Sequence, residues 1–384
     1  MQQLSYAIVA FSHLRWNFVY QRPQHLLSRL AANRPVFFVE EPEFAPDGPA
    51  RWDRSSPHPN VTVLRPRTPV KAPGFHADQI AALAPLMEEL KAELEPDNLL
   101  AWLYTPMALP LARQLDPTVI VYDCMDELSL FLGAPPELLG LEDQLLASAD
   151  VMFTGGPSLF RAKQARHRNV HCFPSSVDAN HFSAARRDHP ERLMEAEDQA
   201  AIPRPRFGFY GVIDERLDLA LIEELASARP GWHIVLVGPV VKIHPDTLPR
   251  RPNIHYIDQR PYEQLPRYLT GWDVCLLPFA QNDSTRFISP TKTLEYMAAE
   301  LPIVSTPITD VAEPYGDVVY LGSTPAEFMA ACEAALASST EERNRRAALM
   351  RKVLSGTSWD VTVSAMEELA AEAMTKNADV RVSA

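Results

Sequence analysis

A lysine, a glutamate and several hydroxyl residues crowd one short segment late in the chain. The stretch from Phe287 to Pro307 reads Phe-Ile-Ser-Pro-Thr-Lys-Thr-Leu-Glu-Tyr-Met-Ala-Ala-Glu-Leu-Pro-Ile-Val-Ser-Thr-Pro. Ser289 has the side chain of a helix N-cap, and Pro290 suits a first helical position. Thr291 to Glu300 is predicted as a helix stopped by Pro302, with Ile303 and Val304 opening a buried strand. Such a start gathers backbone N–H groups, the hydroxyls of Ser289, Thr291 and Thr293, and the Lys292 ammonium at one point. Those are the parts of an anion site, most naturally a phosphate site. Glu295, on nearly the same face as Lys292, can accept hydrogen bonds from sugar hydroxyls. An ordinary capped helix with a solvated Lys–Glu pair uses the same residues. Arg286, in the polar loop before the segment, either helps neutralise a diphosphate or is a solvent-exposed loop arginine.

Two further groups carry chemistry. Val121-Tyr-Asp-Cys-Met-Asp-Glu127 puts carboxylates just past a buried strand. Asp126, and less so Asp123, suits the base or hydrogen-bond acceptor that a reacting hydroxyl needs, or else each caps a turn or helix. His13-Leu-Arg-Trp16, with Arg22 and His25, follows the first strand. His13, Arg15, Trp16 and Arg22 suit binding of a sugar or phosphate, with the Trp16 indole as a stacking platform. The alternative is that Trp16 is core packing and His25 a satisfied histidine. The helix predicted from Pro157 to Arg168 carries Arg161, Lys163, Arg166, His167 and Arg168, which suits a peripheral contact with anionic lipid or a solvated face.

These groups need elements to hold them. Apolar runs at Leu4–Phe11, Pro35–Val39, Val61–Leu64, Leu99–Tyr104, Thr118–Tyr122 and Asp150–Phe153 are predicted strands. Helices are predicted between them, one opened by Pro23 with Leu26, Leu27 and Leu30 as its buried stripe, another over Ala77–Leu94. A second series starts at Phe207 and continues through Ile234–Val237, Asn253–Ile257, Val274–Leu277 and Ile303–Val304. Alternation of this kind defines an α/β fold of two doubly wound Rossmann-like domains, expected to face each other across a cleft. The domains are read as residues 1–182 and 206–357, joined by a charged linker at 183–205. A C-terminal helix at 358–376 is expected to cross back to the first domain, with a frayed tail from Thr375.

Composition excludes several classes. A net charge of −13 argues against a general nucleic-acid binder. No apolar run approaches the ~20 residues of a membrane span, and the N-terminus lacks the basic region of a signal peptide. The four cysteines form no Cys-x-x-Cys pair, so zinc and a disulfide framework are not expected and a cytoplasmic location is, extending to the inner face of a membrane. No Asp-x-Asp triplet sits near a strand end, and no metal or cofactor is expected. No Gly-x-Gly-x-x-Gly follows an opening strand, which disfavours a dinucleotide dehydrogenase.

Several motifs taken together resemble a family. Phe207-Gly-Phe-Tyr-Gly-Val-Ile213, Trp232-His-Ile-Val-Leu-Val-Gly-Pro239, Tyr262-Glu-Gln-Leu-Pro266 with Asp273-Val274, and Pro290-Thr-Lys-Thr-Leu-Glu-Tyr-Met-Ala-Ala299 occur in one order. They resemble the nucleotide-sugar half of GT-B glycosyltransferases, close to family four. Gln21-Arg-Pro-Gln-His25 with Val39-Glu40 is similar to the bacterial branch of teichuronic-acid-type polysaccharide glycosyltransferases, and Val177-Asp-Ala-Asn-His-Phe182 matches the end of that family's first domain. The resemblance implies a retaining transfer from a UDP- or GDP-linked sugar to a polysaccharide or glycolipid acceptor. It places Lys292 at the donor diphosphate and Glu295 at the ribose, with Gly211, Gly238, Arg286, Ser289, Pro290, Thr291 and Thr293 around them. The family's first glutamate falls at Phe287. An Arg and a Lys usual after the Gly211 strand are replaced by Val212-Ile-Asp-Glu-Arg216, where Arg216 is the substitute. Two other readings remain: a non-hydrolysing sugar-nucleotide epimerase of the same architecture, and a non-catalytic carbohydrate-binding or assembly subunit.

Overall fold

In the computed structural model, residues 5–94 and 98–383 are described; Leu4 of the predicted first strand lies outside them. The chain divides into two compact units. The first is Met1–Ser129, Gly133–Pro174 and Asp360–Ala384, and the second is Leu130–Leu132 and Ser175–Trp359.

The first unit is built on strands β1 (Ala7–Ser12), β2 (Val36–Glu40), β3 (Glu43–Phe44), β4 (Arg51–His58), β5 (Val61–Thr68), β6 (Leu99–Leu103), β7 (Val119–Cys124), β8 (Val151–Thr154) and β9 (Val170–Cys172). Their order is β3-β5-β2-β1-β6-β7-β8-β9, parallel throughout, with β4 antiparallel on β5. All residues of β1, β6, β7 and β8 are buried, as expected of parallel strands covered by helices on both faces. The helix Arg22–Leu30 starts from a capping box between Gln21 and Gln24, and Leu26, Leu27 and Leu30 are its buried stripe. β4 carries no apolar alternation. It is an exposed edge strand held by charge, with Arg54 bound to Glu89 and Glu93 and Arg67 to Asp53.

The last helix, Trp359–Ser383, continues well past Thr375, so the tail expected to fray is helical. Val363, Met366, Ala370 and Met374 form its buried face. Asn377 donates to the Thr118 carbonyl at 3.0 Å and to Asp150 at 2.8 Å, and Arg29 pairs with Asp360 at 2.7 Å. The helix is therefore an integral layer of the first unit.

The second unit is a parallel sheet of β10 (Arg206–Tyr210), β11 (His233–Val237), β12 (Ile254–Ile257), β13 (Val274–Leu277), β14 (Ile303–Ser305) and β15 (Tyr320–Leu321). Its order is β12-β11-β10-β13-β14-β15. In β10, Gly208 admits the indole of Trp272. A Cβ there would lie 1.9 Å from the Trp272 ring, so no other residue fits without displacing that side chain. The boundary between units falls at Pro174/Ser175, ahead of the expected 182/183. The stretch expected as a linker is instead a strap on the second unit. Gln199 accepts from the Trp272 indole N–H at 3.0 Å and donates to the Tyr268 carbonyl at 2.9 Å; Glu195 pairs with Arg206, and Arg192 donates to the Thr270 carbonyl at 3.0 Å. The charges that suggested a solvated linker are largely used in holding the strap down.

Candidate functional site

In an open parallel sheet, the loops leaving the carboxyl ends of two adjacent strands part where the winding reverses. In the second unit that point lies between β10 and β13. The loops after these strands are zipped together: Asp218 N–H donates to the Pro278 carbonyl at 2.9 Å and Ala280 N–H to the Arg216 carbonyl at 2.8 Å. Beside them, the N–H of Gly211 bonds to Val237, and that of Gly238 to Ile257, both at 2.8 Å. Gly211 has φ +137° and Gly238 φ +148°, a region that L side chains rarely adopt. A Cβ on Gly238 would lie 2.0 Å from the Gly211 carbonyl oxygen. One on Gly211 would lie 2.2 Å from Cε and 2.7 Å from Nζ of Lys292. The backbone at the end of β10 is thus bare so that the lysine can lie across it.

Lys292 opens the helix Lys292–Ala298, with its Nζ 5.5 Å from the centre of the Phe209 ring. This start corrects the predicted one. Thr291, not Ser289, is the cap and makes no side-chain cap bond, while the Pro290 carbonyl accepts from Thr293 N–H at 3.1 Å. Ser289 and Pro290 belong to the preceding loop. With only seven residues, the helix contributes little dipole, and the positive charge at this place is chiefly the Lys292 ammonium. The Thr293 hydroxyl is buried and makes no hydrogen bond among the described residues. One turn on, Glu295 is only 6% exposed. Its Oε2 accepts from the Tyr210 hydroxyl at 2.6 Å. Burial raises the Glu295 carboxyl above the ordinary range, while the Tyr210 hydrogen bond and the Lys292 charge oppose that.

The two arginines expected nearby are placed differently. Arg216 is held at the base of the loop by Asp214, with Nε 3.0 and 3.1 Å and Nη2 2.6 Å from the carboxylate oxygens. It is a structural arginine of the zipped loops, because the preceding Asp214 is buried and needs its charge. Arg286 is exposed, with its guanidinium 5.1 Å from the ring of neighbouring Phe287.

In the first unit, several expected ligand-binding residues bind one another. Arg22 grips Asp123, with Nε 3.1 Å from both carboxylate oxygens and Nη2 2.8 Å from Oδ1; its Nη1 donates to the Phe173 carbonyl at 2.7 Å. Arg22 is 3% and Asp123 0% exposed. This corrects both expectations, since each charge is enclosed and satisfied by the other. Trp16 is likewise no open platform. It is buried edge-on against Phe38 at 5.1 Å, its backbone N–H donates to Glu40 at 2.8 Å, and Gln24 donates to its backbone carbonyl at 2.8 Å. Arg15 pairs with the same Glu40 at 3.2 Å. The loop after β1 is therefore stapled to β2, leaving His13 half-buried at its start. Asp126 stands half-buried beyond the end of β7.

The helix is Pro157–Lys163, and three of the basic residues expected along this stretch are engaged within the first unit. Lys163 is buried between Glu127 at 2.6 Å and Glu142 at 2.7 Å; Arg166 pairs with Glu142 and Asp143, and the His167 ring bonds to the Ala149 carbonyl. Among the described residues no helix is long and apolar enough to cross a membrane, and no group of three His, Cys, Asp or Glu side chains could hold a metal ion.

Sequence reasoning gave Tyr210 no role. Its proximity to Glu295 joins a strand end to a helix far along the chain, and no local spacing reports that.

Two doubly wound parallel units, the second with a lysine and a glutamate at its switch point, define the GT-B class of fold. Residues 204–338 match the model of the family described as Glycosyl transferases group 1. A Bacillus subtilis (strain 168) protein that carries the name of a teichuronic acid biosynthesis glycosyltransferase is 25% identical over 281 residues, covering 68% of this chain and 69% of its own length. Among solved structures, a UDP-forming α,α-trehalose-phosphate synthase from Burkholderia xenovorans superposes with TM-score 0.67 at 16% identity, over 96% of this chain and 99% of that one. An E. coli structure described as trehalose-6-phosphate bound with UDP-2-fluoro glucose gives 0.65 at 15% identity, over 95% and 99%. At such identities these structures speak for the fold.

Proposed function

We propose that the protein transfers a sugar from a nucleoside-diphosphate sugar, UDP- or GDP-linked, to a polysaccharide or lipid-linked glycan acceptor. The observation that carries this reading is Lys292 lying over the bare backbone of Gly211 at the switch point, with buried Glu295 one turn behind it. A diphosphate leaving group gathers negative charge as the glycosidic bond breaks, and a fixed ammonium beside it lowers that barrier. In this reading Lys292 supplies the charge without a metal, exposed Arg286 adds to it as the ligand arrives, and Ser289, Pro290, Thr291 and Thr293 line the approach. Glu295 receives the ribose hydroxyls. Asp126 acts on the acceptor side, as base or hydrogen-bond acceptor for the incoming hydroxyl. The name of the B. subtilis relative, a teichuronic acid biosynthesis glycosyltransferase, supports a polysaccharide acceptor, and the UDP-linked structural relatives support a UDP donor. Retention of anomeric configuration rests on the family resemblance.

Calorimetric titration with UDP and GDP tests the reading. One of them is expected to bind, and Lys292→Ala is expected to weaken it about tenfold or more, the worth of a charge-assisted phosphate contact. Binding of neither nucleotide, or undiminished binding by Lys292→Ala, overturns the donor site. Asp126→Asn is expected to abolish donor turnover while leaving nucleotide affinity unchanged.

A further inference from the structure

The Tyr210 hydroxyl lies 2.6 Å from Oε2 of Glu295, and both side chains are buried. Among the described residues no hydrogen bond reaches the other oxygen, Oε1. Tyr210 is itself held firmly. Its ring meets Tyr296 edge-on at 5.1 Å, lies 5.8 Å from Trp272 and stacks at 6.4 Å on Phe182, while its N–H donates to the Tyr296 hydroxyl at 3.3 Å. A tyrosine with its ring fixed on three sides cannot follow a moving partner, so the carboxylate must come to it.

We propose that Tyr210 is the positioning residue that holds Glu295 in one rotamer, its free oxygen turned to the ribose of the donor, and so sets the preference for ribose over deoxyribose nucleotides. The inference rests on the donor site proposed above. A carboxylate fixed by one hydrogen bond presents its second oxygen in a defined direction, whereas a free glutamate pays rotamer entropy for each ligand bond it makes. The hydroxyl has a second effect. It favours the ionised carboxylate in a buried place, and the ionised form is the stronger acceptor for sugar hydroxyls. The titratable groups facing the pair are Lys292, which also favours the ionised form, Tyr296 and Cys275.

The test is titration of wild type, Tyr210→Phe, Glu295→Gln and the double variant with UDP or GDP and with the matching 2′,3′-dideoxy nucleotide, across pH 5 to 8. Wild type is expected to prefer the ribonucleotide. Tyr210→Phe, which keeps the ring and its packing, is expected to lose about tenfold in ribonucleotide affinity, the scale of one charged hydrogen bond. Its dideoxynucleotide affinity is expected to stay unchanged, and the acid limb of its binding curve to move to higher pH. The double variant is expected to bind no worse than Glu295→Gln alone, because Tyr210 acts through that carboxylate. Equal losses for both nucleotides, an unmoved acid limb, or additive losses in the double variant overturn the role of Tyr210 while leaving the donor site intact. Failure of wild type to bind any nucleoside diphosphate, or full binding by Lys292→Ala, overturns the donor site and the inference with it. Amide exchange at β10 and at the helix Lys292–Ala298 verifies that each variant is folded.

Discussion

Removing the Asp123 charge is expected to unfold the first unit before it impairs any chemistry. The carboxylate is fully buried, and the Arg22 guanidinium that faces it makes two contacts at 3.1 Å and one at 2.8 Å. Burial disfavours the charge on Arg22, and the adjacent Asp123 outweighs it, so the guanidinium is held more firmly protonated than usual. Asp123→Asn leaves that cation buried with one neutral acceptor in place of an anion. Breaking a buried pair from one side costs about 3–5 kcal/mol. In a unit of this size each kcal/mol moves the midpoint by about 2–4 °C, so a fall of roughly 6–20 °C is expected. Arg22→Met is expected to fall as far, since it also frees the Phe173 carbonyl from its 2.7 Å bond. The double variant Arg22→Met/Asp123→Leu is expected to recover to within about 1–2 kcal/mol of wild type, because an apolar pair carries no desolvation cost. Scanning calorimetry measures the midpoints, and amide exchange assigns the loss to β1, β7 and the last helix. A midpoint in Asp123→Asn within about 2 °C of wild type, well short of the expected fall, together with lost sugar transfer, would refute this reasoning. It would return Asp123 to the chemistry.

Other perturbations are as direct. Gly208→Ala is expected to destabilise the second unit by about 1–3 kcal/mol in urea titration, because its Cβ would meet the Trp272 ring at 1.9 Å. Gly211→Ala is expected to displace Lys292 and to weaken nucleotide binding about as much as Lys292→Ala does, as read by calorimetry. Burial would raise Glu142, but Lys163, Arg166 and Tyr122 pull it below the usual 4.5. Its stabilisation is thus full above that pH and lost as pH falls through the lowered value, and Lys163→Met is expected to flatten this acid limb while costing about 3–5 kcal/mol at pH 7. Glu41 behaves in the opposite sense. Burial, partly offset by Arg15, pushes its carboxyl up to about 7, so folding is disfavoured as pH climbs from 4.5 to 7. Glu41→Gln is expected to be up to about 3 kcal/mol more stable than wild type at pH 8, with little difference at pH 4, by thermal denaturation.

Much of this fold could be read in the sequence because parallel strands are continuous apolar runs, and β1, β2, β6, β7, β8, β10, β11 and β13 all announce themselves in that way. β4 does not. Its Arg-Trp-Asp-Arg-Ser-Ser-Pro-His carries charges that pair sideways with a helix and with β5, partners invisible to a local pattern. The same limit governs the site. Lys292, Gly211 and Gly238 stand out by type, yet Arg22 and Asp123 looked like ligand residues because nothing near either one reveals that the fold brings them together from 101 positions apart. Charge density marks polar side chains without saying whether the counter-charge is a ligand or another residue. The strap before β10 deceived for the same reason, its Glu195, Arg192 and Gln199 being matched by groups on the second unit.

The last helix has a consequence for synthesis. The first unit draws on both ends of the chain, and the second is inserted between them. A ribosome finishes the whole second unit before releasing the residues that carry Met366, Ala370 and Met374. Until then the first unit lacks the buried face that this helix supplies, and Arg22 and Asp123 pair in a half-built wall. The second unit can fold as soon as it emerges, whereas the first must wait with apolar surface exposed. Arrest of translation or truncation before Asp360 is thus expected to leave a sound second unit joined to an aggregation-prone first one.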